Sequence, residues 1–424
     1  MKQTALVAVP LVVTLIVWAV SVPGMALQSG MGQVQLFGAL ALVGFGVVMI
    51  LSTRLRVLDK LFGGQDKIFV VHKWMAIASI AFVVFHLAVR LSLLGTPGGG
   101  MDHGGSGMRG GMGDGTSAVH LPFSEAAATI FVVLIIIALW ARTMKYETWQ
   151  LIHKAMAVAY VAALIHYYTT SLLRPLAFTA FSVWMDIMAI LGVAAAVYSV
   201  FLYGRLGFRH SYSVTAVTPL AADVAQIAGQ STTAPIAPHP GQFVFVKVPD
   251  RAFRSHPFTI SGTPAPGQLE LTVKALGDNT RSLIEVVKPG DRLLVSGPYG
   301  QFDYTRGGDN QVWVAGGIGV TPFRGFLGVP VPQRFSIDFF YGFSGADEAI
   351  YADELAAIIP NNVRLHLVDD TIDGFLTADS ILKQSAVQPT DIYFAGPKAM
   401  RRALQPGFKN LGIKRFHYEQ FQFR

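Results

Sequence analysis

Cysteine is absent from the 424 residues of the chain. That excludes disulfides, thiolate metal centres and a thiol nucleophile together. Charge is also scarce: 14% of the residues are Asp, Glu, Lys or Arg against 52% hydrophobic, far from the balance of an ordinary soluble protein. Neither heptads nor internal repeats occur. The net charge of +7 does not gather into basic patches interleaved with aromatics, so no nucleic-acid partner is expected. What the chain has in place of charge is long apolar runs in its first half. Residues 4–22, 35–52, 68–94, 125–141, 149–170 and 177–203 are each mostly apolar, and about 17 to 25 residues suffice to cross ~30 Å of hydrocarbon as helix. Six transmembrane helices are therefore expected within residues 1–206. The first has one lysine before it and no small-residue cleavage site after it, so it reads as a retained span and not a signal peptide.

The basic residues orient these spans. Arg54, Arg56, Lys60 and Lys67 fall between the second and third runs, Arg142 and Lys145 between the fourth and fifth, and Arg205 and Arg209 after the sixth, while residues 23–34 hold none. The positive-inside rule makes the basic connections cytoplasmic. An even number of spans then puts both termini, and everything from about residue 207 onward, in the cytoplasm of a multi-pass cell-membrane protein. The glycine-rich segment "GTPGGGMDHGGSGMRGGMGDG" at 95–115 falls on the outside.

Two of the apolar runs carry histidine at membrane depth, where a polar ring is costly and calls for a partner. His72 and His86 lie fourteen apart on the third run, and His153 and His166 thirteen apart on the fifth. Both helices run from inside to outside, so His72 is level with His153 and His86 with His166, the two levels roughly 20 Å apart along the axis. Two stacked bis-imidazole sites suit haem, which is flat, apolar at its edges and accepts two axial histidines. A spacing of thirteen turns the second histidine of the fifth run roughly 140° from the first, so co-facial sites do not follow from that helix alone. A histidine-lined proton path or transporter fused to a reductase is the competing reading of another class.

After the sixth run the pattern changes to short alternating strands, as in "GQFVFVKV" and "LELTVKAL", and past residue 310 strands alternate with helical stretches. A β-barrel over 207–308 followed by an α/β domain over 309–424 is expected. Three motifs lie in these domains: "RSHPFTISG" at 254–262, "VKALGDNTRSL" at 273–283 and "VAGGIGVTPF" at 314–323. The last is a glycine-rich turn from strand to helix, where bare amides and a helix N-terminus approach a pyrophosphate.

The four histidines, "HPFT", "GDNT", "GPYG", "GGIGVTPF" and "AGP", in this order, resemble the NADPH oxidase and ferric reductase superfamily, whose cytoplasmic part is similar to ferredoxin-NADP reductase. The resemblance covers almost the whole chain. It implies that FAD is held at His256, Pro257, Phe258 and Thr259, with its pyrophosphate at Gly277, Asp278, Asn279 and Thr280, where Asn279 stands in place of a frequent aromatic. It implies that NADPH or NADH binds along Gly316, Gly317, Gly319 and Thr321, with Gly396 and Pro397 near the nicotinamide. Ala395 replaces the cysteine that often precedes that Gly-Pro. The family's C-terminal flavin-stacking aromatic is matched by Phe423, with Phe421 as the fallback. In lacking an N-terminal calcium-binding extension the sequence resembles a minimal, constitutively active bacterial form, with no obligatory regulatory subunit.

Electrons would then pass from NAD(P)H through FAD and two b-type haems, His72 with His153 inside and His86 with His166 outside, to an external acceptor. Dioxygen, giving superoxide, ranks first and ferric or cupric ion second. Arg90, one turn beyond His86, is placed either to pair with a haem propionate or anionic product, or simply to reach the interface. Met101, His103, Met108 and Met112 in the outer segment read first as incidental residues of a disordered glycine-rich loop, and second as soft ligands that suit copper. The nucleotide's phosphate is left open, since no arginine directly follows Ser344 in "YGFSGADEAIYADEL" at 341–355.

Overall fold

The computed structural model describes residues 2–22, 24, 29–94, 126, 129–134, 136–137, 140, 146–170, 178–251 and 253–419. They divide into two units, one of residues 1–55 and 67–204, the other of residues 56–66 and 205–424.

The first unit is helical: α1 (Lys2–Ser21), α2 (Gly30–Leu51), α4 (Gln65–Leu94), α5 (Tyr146–Thr170) and α6 (Ala180–Val197), the last running on through a π-turn to Leu206. Local chemistry fixes the ends. The hydroxyl of Ser29 accepts the amide of Gly32 at 3.0 Å to start α2, and Thr179 and Ser182 cap one another's amides to start α6, satisfying donors a helix leaves bare. Small residues let the helices close up. A side chain at Gly44 of α2 would meet the hydroxyl of Ser79 on α4, and one at Gly192 of α6 would meet that of Tyr160 on α5. Among the described residues three helices are long and apolar enough to cross a membrane, Gly30–Leu51, Gln65–Leu93 and Ala180–Leu206, with Ala5–Ser21 a shorter apolar helix. The expected six spans thus meet three such helices. The segment at 95–115 lies outside the described residues, and the run at 125–141 lies partly outside them.

The second unit contains a closed antiparallel barrel of β1 (His210–Ala221), β2 (Val224–Ser231), β3 (Phe243–Val248), β4 (Phe253–Gly262), β5 (Gln268–Lys274) and β6 (Arg292–Tyr299), in the order β1-β2-β5-β4-β3-β6. Period-two burial drives it: Leu269, Leu271 and Val273 of β5 point into the barrel core with Val244, Val246 and Val295, as a half-buried strand requires. The α/β part has a five-stranded parallel sheet, β11-β10-β7-β8-β9, of β7 (Asn310–Gly316), β8 (Ser336–Phe343), β9 (Val363–Asp369), β10 (Asp391–Ala395) and β11 (Arg415–Tyr418). Val312, Trp313, Val314 and Ala315 are all fully buried, the continuous run of a strand covered on both faces. A short helix, α3 (Arg56–Phe62), also belongs to this unit. Its Arg56 donates to the carbonyl of Gly297. Burial pushes the Asp59 carboxyl up, against the lowering effect of hydrogen bonds from the Gly300 backbone and the Gln301 side chain.

Candidate functional site

The four histidines of the helical unit meet in two pairs. The ring centroids of His72 and His153 are 6.0 Å apart, and those of His86 and His166 are 6.3 Å apart. The rings pair at both levels despite the thirteen-residue spacing on α5. Two opposed imidazoles bonded to one metal at about 2 Å, with each ring centre about 1 Å beyond its nitrogen, have centroids roughly 6 Å apart. Both observed separations match.

Protonation points the same way. His72 Nδ1 lies 3.2 Å from the carbonyl of Val48, and His86 Nδ1 2.7 Å from that of Val34. A carbonyl only accepts, so Nδ1 donates in each ring and Nε2 is the nitrogen left for a metal, the arrangement in which a second partner orients a metal-binding histidine. The Nδ1 of His166 is buried with no partner among the described residues. Gly38 of α2 faces His86 so closely that a side chain there would lie 3.1 Å from its Nδ1. Two pairs of imidazoles at these separations fit bis-histidine haem. Arg90 follows on α4, partly exposed, one turn past His86.

In the second unit the residues of "HPFT" fall on β4. Phe258 and Thr259 are buried, at 8% and 9% exposure, while His256 and Pro257 are half-buried. His256 donates from Nδ1 to the carbonyl of Arg254 at 3.0 Å, and its ring lies 4.9 Å from that of Phe253. The residues of "GDNT" open α7 (Asp278–Val286), with Gly277 as N-cap and its amide donating to the Thr280 hydroxyl at 3.2 Å.

The glycine turn follows β7. Gly317 has φ of 51°, which favours glycine, and α8 (Thr321–Leu327) starts directly after the turn. The turn packs tightly here: a side chain at Gly319 would run into the carbonyl of Ala395, and one at Gly316 into the side chains of Met400 at 2.6 Å and Pro397 at 2.9 Å. The structure therefore gathers Gly316, Gly319, Gly396 and Pro397 at the carboxyl ends of the adjacent strands β7 and β10. The sheet order reverses between these strands, and such switch points hold ligands in open α/β sheets. Thr321 is buried and its hydroxyl donates to the carbonyl of Ile318 at 3.1 Å. At the end of β8 the Ser344 hydroxyl donates to Asp370 at 2.8 Å and the Gly345 amide to Asp369 at 2.9 Å. Phe423 and Phe421 lie outside the described residues.

Two features had no sequence signal. Val34 and Val48 act through main-chain carbonyls, which any residue supplies. Arg324, one turn into α8, bonds to the carbonyl of Ser261 and the carboxylates of Glu270 and Glu354, partners 30 to 63 residues away that no local pattern marks.

Two family models match the chain: a ferric reductase like transmembrane component over residues 37–164 and an FAD-binding domain over residues 209–303. The chain belongs to the NADPH oxidase and ferric reductase superfamily. The two models place a transmembrane component and an FAD-binding domain in one chain. The electron transfer subunit of dihydroorotate dehydrogenase B (NAD(+)) from Listeria monocytogenes is 32% identical over 178 residues, 40% of this chain and 67% of that protein. The ferredoxin–NAD(+) reductase component of the alkene monooxygenase system of Xanthobacter autotrophicus is 29% identical over 211 residues, 45% of this chain and 63% of that protein. One component of the Na(+)-translocating NADH-quinone reductase of Neisseria gonorrhoeae is 29% identical over 151 residues, 31% of this chain and 37% of that protein. The chain thus spans less than two thirds of the last two relatives. A solved ferredoxin NADP+ reductase from Neisseria gonorrhoeae, with FAD and NADP bound, is 18% identical at a TM-score of 0.44 over 49% of this chain and 97% of its own.

Proposed function

We propose that the chain takes electrons from cytoplasmic NADPH or NADH and passes them, by way of FAD and two b-type haems, to an acceptor outside the membrane. The observation that carries this reading is the pair of histidine couples, at 6.0 and 6.3 Å between ring centroids, in one chain with an FAD-binding domain. His72 and His153 would hold the inner haem and His86 and His166 the outer. When bound, flavin supplies the exchange between a two-electron hydride and single electrons, and haem carries single electrons.

The remaining work falls to the chain's own residues. Thr259 would face the flavin from β4 while Phe258, packed in the barrel core, would fix that strand beside it; the start of α7 at Gly277 to Thr280 would receive an anionic pyrophosphate; Gly316 and Gly319 hold the turn close against the end of β10, and Gly317 leaves open backbone for the nucleotide. Gly396 and Pro397 border the nicotinamide position. His86 and His166 would both be used in holding the outer haem, which would supply single electrons to the acceptor, and Arg90, one turn past His86, would offer positive charge to an anionic product. Dioxygen, reduced to superoxide, is the acceptor this arrangement suits best. A ferric or cupric ion is the second reading, favoured by the ferric reductase like match and by Met101, His103, Met108 and Met112 in the outer segment, which suit a soft metal. Six spans with both termini cytoplasmic are part of the proposal.

The test uses the full chain in detergent. A reduced spectrum with sharp low-spin bands, a haem-to-protein ratio near two, and dismutase-sensitive reduction of cytochrome c are expected with NADPH or NADH. A protein free of haem would sink the histidine reading. Dismutase-insensitive turnover with reduction of a ferric chelate would replace dioxygen by the metal.

A further inference from the structure

The nucleotide turn and the flavin strand belong to different subdomains of the second unit, so something must fix the distance between them. Arg324 lies on α8, three residues past Thr321, and its guanidinium reaches the barrel. Nη1 donates to the carbonyl of Ser261 at 2.9 Å and to Glu270 Oε2 at 2.6 Å, while Nε donates to Glu354 Oε1 at 2.8 Å. Ser261 is on β4 two residues past Thr259, Glu270 is on β5, and Glu354 is on α9 (Ala352–Ile358). The arginine side chain is only 13% exposed and that of Glu270 16%, which makes these bonds stronger than a surface pair.

Three further observations converge on the same seam. The register between β4 and β5 is irregular between Ile260 and Gly262, a bulge that leaves the Ser261 carbonyl free of the ladder and re-aims it. Gly325, beside Arg324, approaches the Ile260 carbonyl so closely that a side chain would lie 3.1 Å from it. The guanidinium also covers the ring of Tyr351 at 4.6 Å, and Tyr351 bonds through its hydroxyl to Thr272 of β5 at 2.7 Å.

We propose that Arg324 is a positioning residue that locks the nucleotide turn to the flavin strand and so sets the approach of nicotinamide to flavin. This rests on reading those two elements as the nucleotide and flavin half-sites. The step concerned moves one hydride, with both its electrons, from the dihydronicotinamide to the flavin, which also gains a proton from water, and the nucleotide leaves oxidised. A planar guanidinium holds three acceptors on two subdomains in one orientation, which the single ammonium of lysine does not.

The test compares the full-length parent with Arg324→Ala, Arg324→Lys and Glu354→Gln. Anaerobic flavin reduction by NADPH or NADH is followed by stopped flow, NADP+ and NAD+ dissociation constants by titration, and hydrogen exchange of peptides 257–262 and 321–327 in protein stripped of FAD. Arg324→Ala is expected to slow reduction about 10- to 100-fold, the scale of a misplacement of about 1 Å. It should keep FAD, bind NADP+ or NAD+ within about threefold of the parent, and raise exchange in both peptides together, with Arg324→Lys in between. Faster exchange with an unchanged reduction rate would overturn the proposal and leave a structural ion pair. If Arg324→Ala fails to keep FAD, Glu354→Gln decides, because its carboxylate is 39% exposed and removes one of the arginine's partners. Reduction slowed severalfold supports the lock, and a parent-like rate overturns it. A parent that binds no FAD, or whose flavin no nucleotide reduces, would instead overturn the half-site reading.

Discussion

The two units bring their site residues together by different means. In the helical unit the four histidines lie on α4 and α5 and meet only through register and facing. His72 and His153 stand eighty-one positions apart, and nothing local links them. In the barrel-and-sheet unit the candidate residues come in contiguous groups, "HPFT" within β4 and "GDNT" and "GGIGVTPF" where helices begin, so their sequence order is already a map of the site elements. A membrane span tolerates almost any apolar residue, which makes a histidine conspicuous and its facing direction obscure. A strand-to-helix turn tolerates few residues at a few positions, which makes the turn and its geometry conspicuous together.

The largest expected effect breaks the comparison on the helical side. His166→Ala removes one of the two rings at the outer level, where the centroids stand 6.3 Å apart. A single remaining axial ligand at His86 should lose the outer haem, halve the haem-to-protein ratio and abolish reduction of the external acceptor. Flavin reduction by NADPH or NADH should persist at the parental rate, because its residues are in the other unit. Haem content by pyridine haemochrome and flavin bleaching under nitrogen read the two outcomes separately. An unchanged haem ratio would detach His166 from any metal role.

How far each unit was legible follows from the same contrast. The apolar runs mark α1, α2, α4, α5 and α6 within a few residues, since span length is set by hydrocarbon thickness. The matching of histidine levels was legible from counting residues. Their co-facial meeting was not, because helix geometry alone turns His166 away from His153. The carbonyls of Val34 and Val48 were invisible, being main chain. In the second unit the strand-to-helix change near residue 310 and the glycine turn were legible from periodicity and glycine placement. Arg324 was not, because its value lies in partners at Ser261, Glu270 and Glu354 that only the fold assembles.

A smaller effect sharpens the second unit's side. Asp338 of β8 is fully buried and accepts from Arg364 at 2.7 and 3.0 Å, His366 at 3.0 Å, the Ser385 hydroxyl at 2.7 Å and the amides of Ala386 and Val387. Burial pushes its carboxyl up, but those hydrogen bonds outweigh burial and hold it well below the usual carboxylate range. A depressed folded value means that the stabilisation is complete above the unfolded value of about pH 4 and is lost as pH falls below it. Removing one member of such a buried cluster costs about 3 to 5 kcal/mol. Asp338→Asn should therefore unfold this unit at lower temperature at pH 7, with a flatter loss between about pH 4 and 2 than the parent shows. FAD release on heating reports it. The haem spectrum should not move, and a variant as stable as the parent at pH 7 would remove the cluster from the account.

The smallest expected effect falls at the end of the chain. Under the family resemblance Phe423 stacks on the flavin face that the nicotinamide must use, so each turnover has to displace it. Aromatic stacking contributes about 0.5 to 1.5 kcal/mol beyond area burial. Phe423→Ser should then tighten NADP+ or NAD+ binding by up to about tenfold, since about 1.4 kcal/mol is a factor of ten. Product leaves more slowly when it binds more tightly, so the maximal rate need not rise with affinity. The effect also differs in kind from that of Arg324→Ala, which slows hydride transfer with little change in affinity. Titration of both variants with NADP+ and NAD+ separates a gate from a lock. Unchanged or weaker binding in Phe423→Ser would shift the gate to Phe421 or leave the terminal residues as packing alone.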